Sequence, residues 1–395
     1  MSNQKQVRVG IIGLTGRGLM AKNWHHPEGD SIIVAGMDIN DETLPAFKKS
    51  LASDVFVTKD LKEFLGRDDL DAVAVMTPDF THEDYVVEAF RAGKHVFCEK
   101  PMAITTAGCD RMLEAWQQSG KQFMVGFNMR HMNIFRVMKD IADSGLIGEI
   151  KVVWVRHFVG RGGEWYYHDW HGNSKNSTGL LLQKASHDID MIHWITGKYT
   201  KKVCGFGSLD YYGGDKPDNL HCSECPQKDD CVEFYHQDGR TNNKDFCVFR
   251  KEIDVEDNST IMMELEGGIK ATYMQCHYAP DYERNYTFIG TEGRMENLDD
   301  NSKVIVKMRE RSKRWKNHAD QSYALKPATG GHGGADPRIC KDFIDMILTG
   351  KRPISTPLAG RMSVATGCAA TESIRSGSKV IQIPPLPLSI RNEIF

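Results

Sequence analysis

The sequence predicts an α/β protein of two domains: a doubly wound parallel sheet in residues 1–130, and an α+β domain with a large, mostly antiparallel, open sheet in residues 131–395. Two observations support this. Before about Arg130, short apolar runs alternate with helical patterns, which is typical of parallel sheets covered by helices. Beyond Arg130, longer alternating segments predict paired antiparallel strands. A chain of 395 residues is long enough for two ordinary hydrophobic cores.

A glycine-rich turn follows the first predicted strand. The apolar run 7–12 reads as a buried strand, and the turn after it leads into a predicted helix. In the dinucleotide-binding pattern, Gly13 and Gly18 fill the first and third glycine positions, and Thr15 stands at the second. A diphosphate would therefore bind slightly displaced or be held partly by the Thr15 hydroxyl. The candidate cofactor-binding residues of this turn are Gly13, Thr15, Gly16, Arg17 and Gly18.

The second predicted strand, residues 32–37, ends at Asp38, 20 positions after Gly18. A carboxylate at this point accepts hydrogen bonds from ribose hydroxyls and repels a 2′-phosphate, which favours NAD over NADP. The alternative is that Asp38 is an acidic N-cap of the next helix.

Further polar residues follow the next two predicted strands. One strand, near 71–76, stops at a proline, and the strand 94–98 is followed directly by Glu99-Lys100-Pro101. Open parallel sheets bind their ligands at these carboxyl ends. The additional cofactor-binding candidates are Thr77, Pro78, His82, Glu99 and Lys100.

This order of motifs, with Gly126-Phe127-Asn128-Met129-Arg130 after it, resembles the glucose-fructose oxidoreductase, inositol dehydrogenase and rhizopine-catabolism (Gfo/Idh/MocA) family over essentially the whole chain. The resemblance implies a Rossmann domain that binds NAD. It implies that Lys100 hydrogen-bonds the substrate hydroxyl that is oxidised, and that Glu99 and Asn128 lie near the nicotinamide ribose. Arg130 is a candidate substrate residue.

A second candidate constellation lies in residues 179–190. The family often shows Asp-x-Gly-x-His-x-x-Asp here, and His187 and Asp190 are in register with it, whereas Gln183 replaces the first aspartate. Because Gln183 cannot accept a proton, the resemblance implies His187 as general base or proton relay and Lys100 as the cation that stabilises the developing alkoxide. Lys184 is a nearby donor, and Gln183 and Asp190 are substrate candidates. The alternative for His187 is a core or helix-capping histidine.

Two loops are candidate substrate surfaces. The aromatic loop 165–173 contains Trp170 and His171, and aromatic faces pack well against the C–H groups of a sugar ring. The glycine-rich loop 330–337 contains His332 and Asp336, which are candidates for binding hydroxyls. The alternatives are core packing for the first loop and, for the second, a flexible linker with an aspartate N-cap.

Four of the ten cysteines are clustered in a polar insertion at about 213–249. In a reducing cytoplasm, their spacing favours a structural zinc held by four thiolates, with His221 or His236 as substitute ligands. An iron–sulfur cluster and four free surface thiols are the alternatives. The predicted metal ligands are Cys222, Cys225, Cys231 and Cys247.

Composition bounds the partners. A formal net charge of −3 gives no indication of nucleic acid or an anionic membrane as a partner. We expect a cytoplasmic protein, since no apolar run approaches membrane-spanning length. The basic run 309–316 is read as a solvated loop or hairpin, or alternatively as an oligomer contact. The resemblance implies a homodimer or homotetramer formed through an open sheet face.

The predicted function is NAD-dependent oxidation of a secondary hydroxyl of a sugar, cyclitol or glycoside. One alternative is a glycosidase that keeps NAD bound and cleaves by transient oxidation and elimination. Another is a non-catalytic regulator that binds dinucleotide or sugar. The presence of both Lys100 and His187 argues against the regulator.

Overall fold

The computed structural model describes residues 6–235, 245–298, 302–310, 318–326 and 329–390. The chain divides into two compact units. Unit 1 comprises Met1–Met132, Ala328–Val364 and Pro385–Phe395, and unit 2 comprises Asn133–Pro327 and Ala365–Pro384.

Unit 1 contains a six-stranded parallel sheet with the order β3-β2-β1-β4-β5-β6. The order reverses between β1 and β4, and open parallel sheets bind their ligands beyond the carboxyl ends of strands at such a reversal. Helices connect the strands, as a parallel sheet requires. The strands are β1 Val7–Ile12, β2 Ser31–Met37, β3 Phe56–Thr58, β4 Ala72–Val75, β5 His95–Cys98 and β6 Phe123–Val125.

The helices between these strands are short, and the first of them is a 3-10 helix, Gly16–Trp24, directly after the glycine-rich turn. Two further 3-10 turns, Asp79–Thr81 and Asn128–His131, follow β4 and β6. The α-helices are α1 Thr43–Ser50, α2 Leu61–Leu65, α3 His82–Arg91 and α4 Thr106–Ser119.

Unit 2 is built on a nine-stranded sheet with the order β14-β13-β12-β11-β7-β10-β9-β8-β15. Only β7 and β10 pair in parallel, and every other neighbouring pair in the described sheet is antiparallel. The strands are β7 Ile150–Phe158, β8 Thr200–Ser208, β9 Asn258–Leu265, β10 Lys270–Cys276, β11 Glu283–Gly290, β12 Gly293–Leu298, β13 Lys303–Met308, β14 Gln321–Ala324 and β15 Ile381–Gln382.

The remaining helices carry several of the candidate site residues. A π-helical turn, Gly163–Tyr167, and a 3-10 turn, Trp170–Gly172, form the aromatic loop. The α-helices are α5 Asn133–Asp143, α6 Ser174–Ser177, α7 Leu180–Gln183, α8 Ser186–Thr196, α9 Gly331–Thr349 and α10 Pro357–Arg375.

The predicted fold class is confirmed, with a parallel sheet in the N-terminal part and a mostly antiparallel open sheet in the C-terminal part. The predicted division at residue 130 is close to the end of the first segment of unit 1, Met132. Most of the basic run 309–316 lies outside the described residues. Among helices of the described ranges, none combines the length and apolarity needed to cross a bilayer.

The sequence assigns residues 131–395 to the second domain, whereas in the structure residues 328–364 belong to unit 1. The physical reason is the apolar face of α9, which joins the core of the parallel sheet through Ile339, Phe343 and Met346. Trp24 is fully buried in this core, and its indole N–H donates to the Cys340 carbonyl over 3.0 Å. This packing brings the 330–336 loop to unit 1.

Candidate active site

The glycine-rich turn of unit 1 requires its glycines. Gly13 and Gly16 have φ of +88° and +53°, in the left-handed region that favours glycine. A Cβ on Gly18 would lie 2.1 Å from the Gly13 carbonyl oxygen. The turn therefore keeps the close approach that the dinucleotide pattern predicts, with Thr15 and Gly16 exposed at its tip.

Asp38 follows β2 and lies beside this turn. Its carboxylate accepts hydrogen bonds from the backbone N–H of Leu14 at 2.9 Å and of Asn40 at 3.0 Å. Helix α1 begins only at Thr43, with Glu42 before it, so Asp38 is not the N-cap of that helix. A half-buried carboxylate next to the turn fits the predicted ribose contact.

Arg17 of the turn binds two carboxylates of unit 1. Its Nε donates to Glu99 Oε1 at 2.8 Å, and its Nη1 and Nη2 donate to Asp336 at 3.1 and 3.2 Å. His332 Nδ1 lies 2.9 Å from Asp336 and 3.2 Å from Arg17 Nη1. The residues 332 and 336, predicted as substrate contacts, thus lie against the glycine-rich turn. His332 has φ +50°, which is unusual for a residue with a side chain.

Charge compensation dominates this cluster. Burial alone would lower the pKa of Arg17, but the charges of Glu99 and Asp336 outweigh burial and raise it. Burial alone would raise the pKa of Asp336, but hydrogen bonds from His332 and Arg17 hold it well below its usual range. Arg17 and Asp336 are therefore both ionised at neutral pH.

Lys100 lies at the carboxyl end of β5, half-buried, and its backbone N–H donates to Glu99 Oε2 at 3.0 Å. Glu99 thus connects Lys100 to the glycine-rich turn through Arg17. A Cβ on Gly126 would lie 2.9 Å from Glu99 Oε2, so glycine at 126 makes room for this carboxylate.

The other candidates of unit 1 differ in their surroundings. Asn128 is buried, donates to Asp336 at 3.3 Å, and leaves its Oδ1 without a partner in the described residues. His82 is fully buried between the carbonyls of Thr77 and Pro101, so it supports the loops after β4 and β5. Thr77 accepts from the Thr81 hydroxyl, and Pro78 precedes the Asp79–Thr81 turn.

Arg130 was predicted as a substrate residue. Its side chain is buried and donates to the Ile354 carbonyl within unit 1. This contact fixes the segment after β6 to the C-terminal segment of the same unit, which is a structural role.

In unit 2, the predicted constellation spans the end of α7 and the start of α8. Gln183 and Asp190 are buried, whereas Lys184 and His187 are half-buried. Lys184 Nζ lies 5.6 Å from the centre of the Tyr166 ring, and this ring meets His171 edge-on at 5.5 Å. Trp170 stacks on His171 at 3.6 Å. The structure therefore brings the predicted residues Lys184, Trp170 and His171 together around Tyr166.

The structure also reveals a buried polar network that sequence reasoning missed, centred on Asp188. Its carboxylate accepts hydrogen bonds from Tyr273 at 3.0 Å, Arg284 at 2.8 Å, His157 at 3.2 Å and also from Tyr286. The donors come from β7, β10 and β11, so they attach the first turn of α8 to the sheet.

The network is charged. Burial alone would raise the pKa of Asp188, but Arg284 and His157 hold it well below its usual range. Burial, together with the charge of Arg284, lowers the pKa of His157 to about 3, so this imidazole is neutral and donates through Nδ1. Asp188 is adjacent to His187, and the network therefore fixes the backbone that carries the predicted base.

The four clustered cysteines line one small cavity of about 10 Å³ together with Phe234, Val248 and Phe249. All ten cysteines are free thiols. Burial raises the pKa of Cys222 to about 11 and also raises that of Cys247.

The structure does not show the predicted zinc site, which stays a prediction. Within the part of the chain that the structure describes, no group of three or more His, Cys, Asp or Glu side chains is arranged to hold a metal ion. Of the two substitute ligands, His221 faces Asp245 at 3.7 Å, and His236 lies outside the described residues.

Comparison with known proteins matches the chain to one family of oxidoreductases. A model described as the NAD-binding Rossmann fold of an oxidoreductase family matches residues 7–127, and the C-terminal alpha/beta domain of that family matches residues 139–382. The Bacillus subtilis protein YteT, described as an oxidoreductase, is 27% identical over 75% of this chain and 78% of its own length. Myo-inositol 2-dehydrogenase of Thermotoga maritima is 30% identical, but only 51% of this chain and 59% of that enzyme are aligned.

Solved structures cover the chain more completely. Levoglucosan dehydrogenase in complex with NADH and levoglucosan has a TM-score of 0.77 at 18% identity, over 96% of this chain and 100% of the other. Apo scyllo-inositol dehydrogenase from Lactobacillus casei has a TM-score of 0.70 at 22% identity, over 96% and 99%. At these identities the likeness shows the fold alone.

The Asp188 network generates a stability prediction. We expect Asp188→Asn to lower the free energy of unfolding by about 3–5 kcal/mol, because Arg284 would be left buried without its counter-charge. Since the native pKa of Asp188 lies below its unfolded value, the wild-type contribution is present above about pH 4 and is lost as the pH falls. Urea denaturation between pH 3 and pH 7 measures both effects.

The control is Asp210→Asn, which removes an exposed charge of unit 2 but leaves an amide oxygen that can still accept from Ser208 and Asn258, so we expect it to change the free energy of unfolding far less than Asp188→Asn does. If Asp188→Asn is as stable as the control, this result would contradict the view that the charged Asp188 carboxylate holds α8 against the sheet.

Proposed function

The chain belongs to the Gfo/Idh/MocA family of oxidoreductases, and from this premise we propose that it oxidises a secondary hydroxyl of a sugar, cyclitol or glycoside with NAD. The observation that carries the proposal is the pair of hydrogen bonds that Glu99 accepts. Its two carboxylate oxygens join the backbone of Lys100 to Arg17 of the glycine-rich turn. The backbone of Lys100, the residue proposed to stabilise the alkoxide, is thus connected by hydrogen bonds to the glycine-rich turn proposed to bind the dinucleotide.

The residues of unit 1 fit a nicotinamide dinucleotide. Gly18 leaves the turn open to a close approach, and Asp38 offers a carboxylate beside it. The unpartnered Oδ1 of buried Asn128 suits a ribose hydroxyl. Asp38 supports NAD rather than NADP, because a carboxylate repels a 2′-phosphate.

We divide the chemistry between two groups of this chain. The bound dinucleotide supplies a hydride acceptor at C4 of its nicotinamide. Lys100 would donate a hydrogen bond to the substrate oxygen and stabilise the alkoxide charge that develops there. His187 would take the hydroxyl proton, because Gln183 has no basic atom for this task and Asp190 is buried in α8. Lys184 would bind a further substrate oxygen.

The substrate class rests on two supports. The relatives include proteins named for inositol and levoglucosan, which are cyclic polyols and sugars. In unit 2, Lys184 and His171 flank Tyr166, and Trp170 stacks on His171. Aromatic faces with polar groups at their edges suit a ring that presents both C–H groups and hydroxyls.

The test is the absorbance at 340 nm with purified protein, NAD or NADP, and a panel of inositols, sugars and glycosides. We expect NADH to accumulate with one substrate class, and NAD to be used in preference to NADP. If no absorbance change occurs at 340 nm although the protein binds NADH, the result would contradict the dehydrogenase and favour the redox-neutral glycosidase or the non-catalytic regulator.

Lys100→Ala tests the assignment of the cation. We expect turnover to fall by about 10²-fold or more, with the Kd for NADH changed less than threefold, because the lost interaction forms in the transition state. Lys22→Ala, on the exposed side of the neighbouring 3-10 helix, is the matched control and should retain full turnover. An active Lys100→Ala enzyme would refute the proposed chemistry.

We also propose that the protein is a cytoplasmic homo-oligomer joined through the open face of the nine-stranded sheet. Five large apolar side chains on this face are each 38–55% exposed: Val152, Trp154, Met262, Met274 and Ile289. The strand register supports a single face, because Met262 and Trp154 both pair with Thr272, and Ile289 pairs with Val152. An exposed apolar patch of this kind is typical of an interface.

Trp154→Lys tests the interface. We expect light scattering after size-exclusion chromatography to show a dimer or tetramer for the wild type and a smaller species for the variant, because a charge would be buried in the contact. Val232→Lys is the control, since Val232 is 87% exposed but lies in the cysteine-containing insertion. A monomeric wild type, or a variant of unchanged mass, would contradict this proposal.

A further inference from the structure

Arg17 occupies an unusual electrostatic position. It extends from the glycine-rich turn and is the charge partner of both Glu99 and Asp336, whose side chains are 7% and 10% exposed. It contacts Asp336 through two nitrogens and Glu99 through a third, so its guanidinium is committed to these carboxylates. A free cation for the phosphates would instead point out of the turn.

Two nearly buried carboxylates next to a phosphate-binding turn are unfavourable for the ligand. A dinucleotide brings two negative phosphates to this turn, and like charges in a poorly solvated place repel strongly. Neither carboxylate is easily removed from the fold: Glu99 holds the Lys100 backbone, and Asp336 holds Asn128 and His332. The repulsion must therefore be cancelled locally.

We propose that Arg17 is the counter-charge that allows a nicotinamide dinucleotide to bind beside Glu99 and Asp336. It is a positioning residue, acting through the two carboxylates rather than by contact with the reacting atoms. This inference rests on the proposed function, because it assumes that the dinucleotide occupies this turn.

The surrounding groups fix the expected pH behaviour. The titratable groups that face the cluster are His332 and Cys340 from α9, Cys98 and Lys100 at the end of β5, and His82 from α3. His82 is neutral because burial lowers its pKa, and burial raises the pKa of both thiols. With Arg17 removed, burial would raise the pKa of Asp336, and acidification would then neutralise it.

The test is a titration of NADH fluorescence with the intact protein at pH 6 and pH 8.5. We expect Arg17→Met to weaken NADH binding by about tenfold or more at pH 8.5, and by less at pH 6, because acidification removes part of the repulsion by protonating the Asp336 carboxylate. The double variant Arg17→Met/Asp336→Asn should recover part of the loss, because it removes one of the two uncompensated charges and leaves Glu99.

Asp336→Asn alone provides a second measurement on a protein that keeps the Arg17–Glu99 pair. We expect it to bind NADH about threefold or more tightly at pH 8.5, since one repulsive charge is gone. Arg8→Met is the matched control. Arg8 also forms a pair of hydrogen bonds with one carboxylate, Asp71, but at the opposite end of β1, and its loss should leave the Kd for NADH unchanged.

The outcomes separate the two proposals. Failure of the wild type to bind NADH would overturn the proposed function. Normal wild-type binding with an Arg17→Met loss that is equal at both pH values and is not relieved by Asp336→Asn would overturn the counter-charge alone. Unchanged binding by Arg17→Met would overturn it as well.

Discussion

The ion pairs of Arg17 connect the segments of unit 1 that follow the carboxyl ends of its strands. They connect three segments that are far apart in the sequence: the turn after β1, the end of β5 and the start of α9. Removing an ion pair from water costs free energy, and the attraction between the charges offsets this cost only when geometry and hydrogen bonding are good. Here Arg17 donates from three nitrogens to two carboxylates. The position of Lys100 depends on this arrangement, because Glu99 binds both Arg17 and the Lys100 backbone.

In unit 2, different residues fix the backbone beside the candidate catalytic residue. The predicted base, His187, stands on a helix that the sheet holds through one buried carboxylate, Asp188. Four donors satisfy that carboxylate, so the charge is fully compensated in the interior. In both units a charged network fixes the backbone next to a candidate catalytic residue, and the side chain of that residue remains partly exposed for chemistry.

Local patterns in the sequence were sufficient for the parallel sheet, the glycine-rich turn and the ends of the strands. The turn is readable because Gly13 and Gly18 are required by backbone geometry, and Glu99-Lys100-Pro101 because it follows a short apolar strand. The return of α9 to unit 1 was not predictable in this way, since it depends on long-range packing of Ile339 and Phe343 against Trp24.

The missed network has a similar cause. The members of this network lie on β7, β10 and β11, in strands where inward-facing and outward-facing residues alternate. No local pattern in the sequence indicates that His157, Tyr273 and Arg284 converge on one aspartate. The cysteine cluster is a different case. The spacing of the four cysteines indicated that they lie close together, and they do line one cavity, but spacing alone does not determine whether a metal ion binds there.

The most direct test of the proposed chemistry is isotope transfer. A polyol deuterated at the carbon that bears the reacting hydroxyl would be converted with NAD, and the product dinucleotide examined by NMR. We expect deuterium at C4 of the reduced nicotinamide and a slower reaction than with the unlabelled polyol. Oxidation of the polyol with the deuterium released to solvent, and none at C4 of the nicotinamide, would contradict hydride transfer to the dinucleotide at this site.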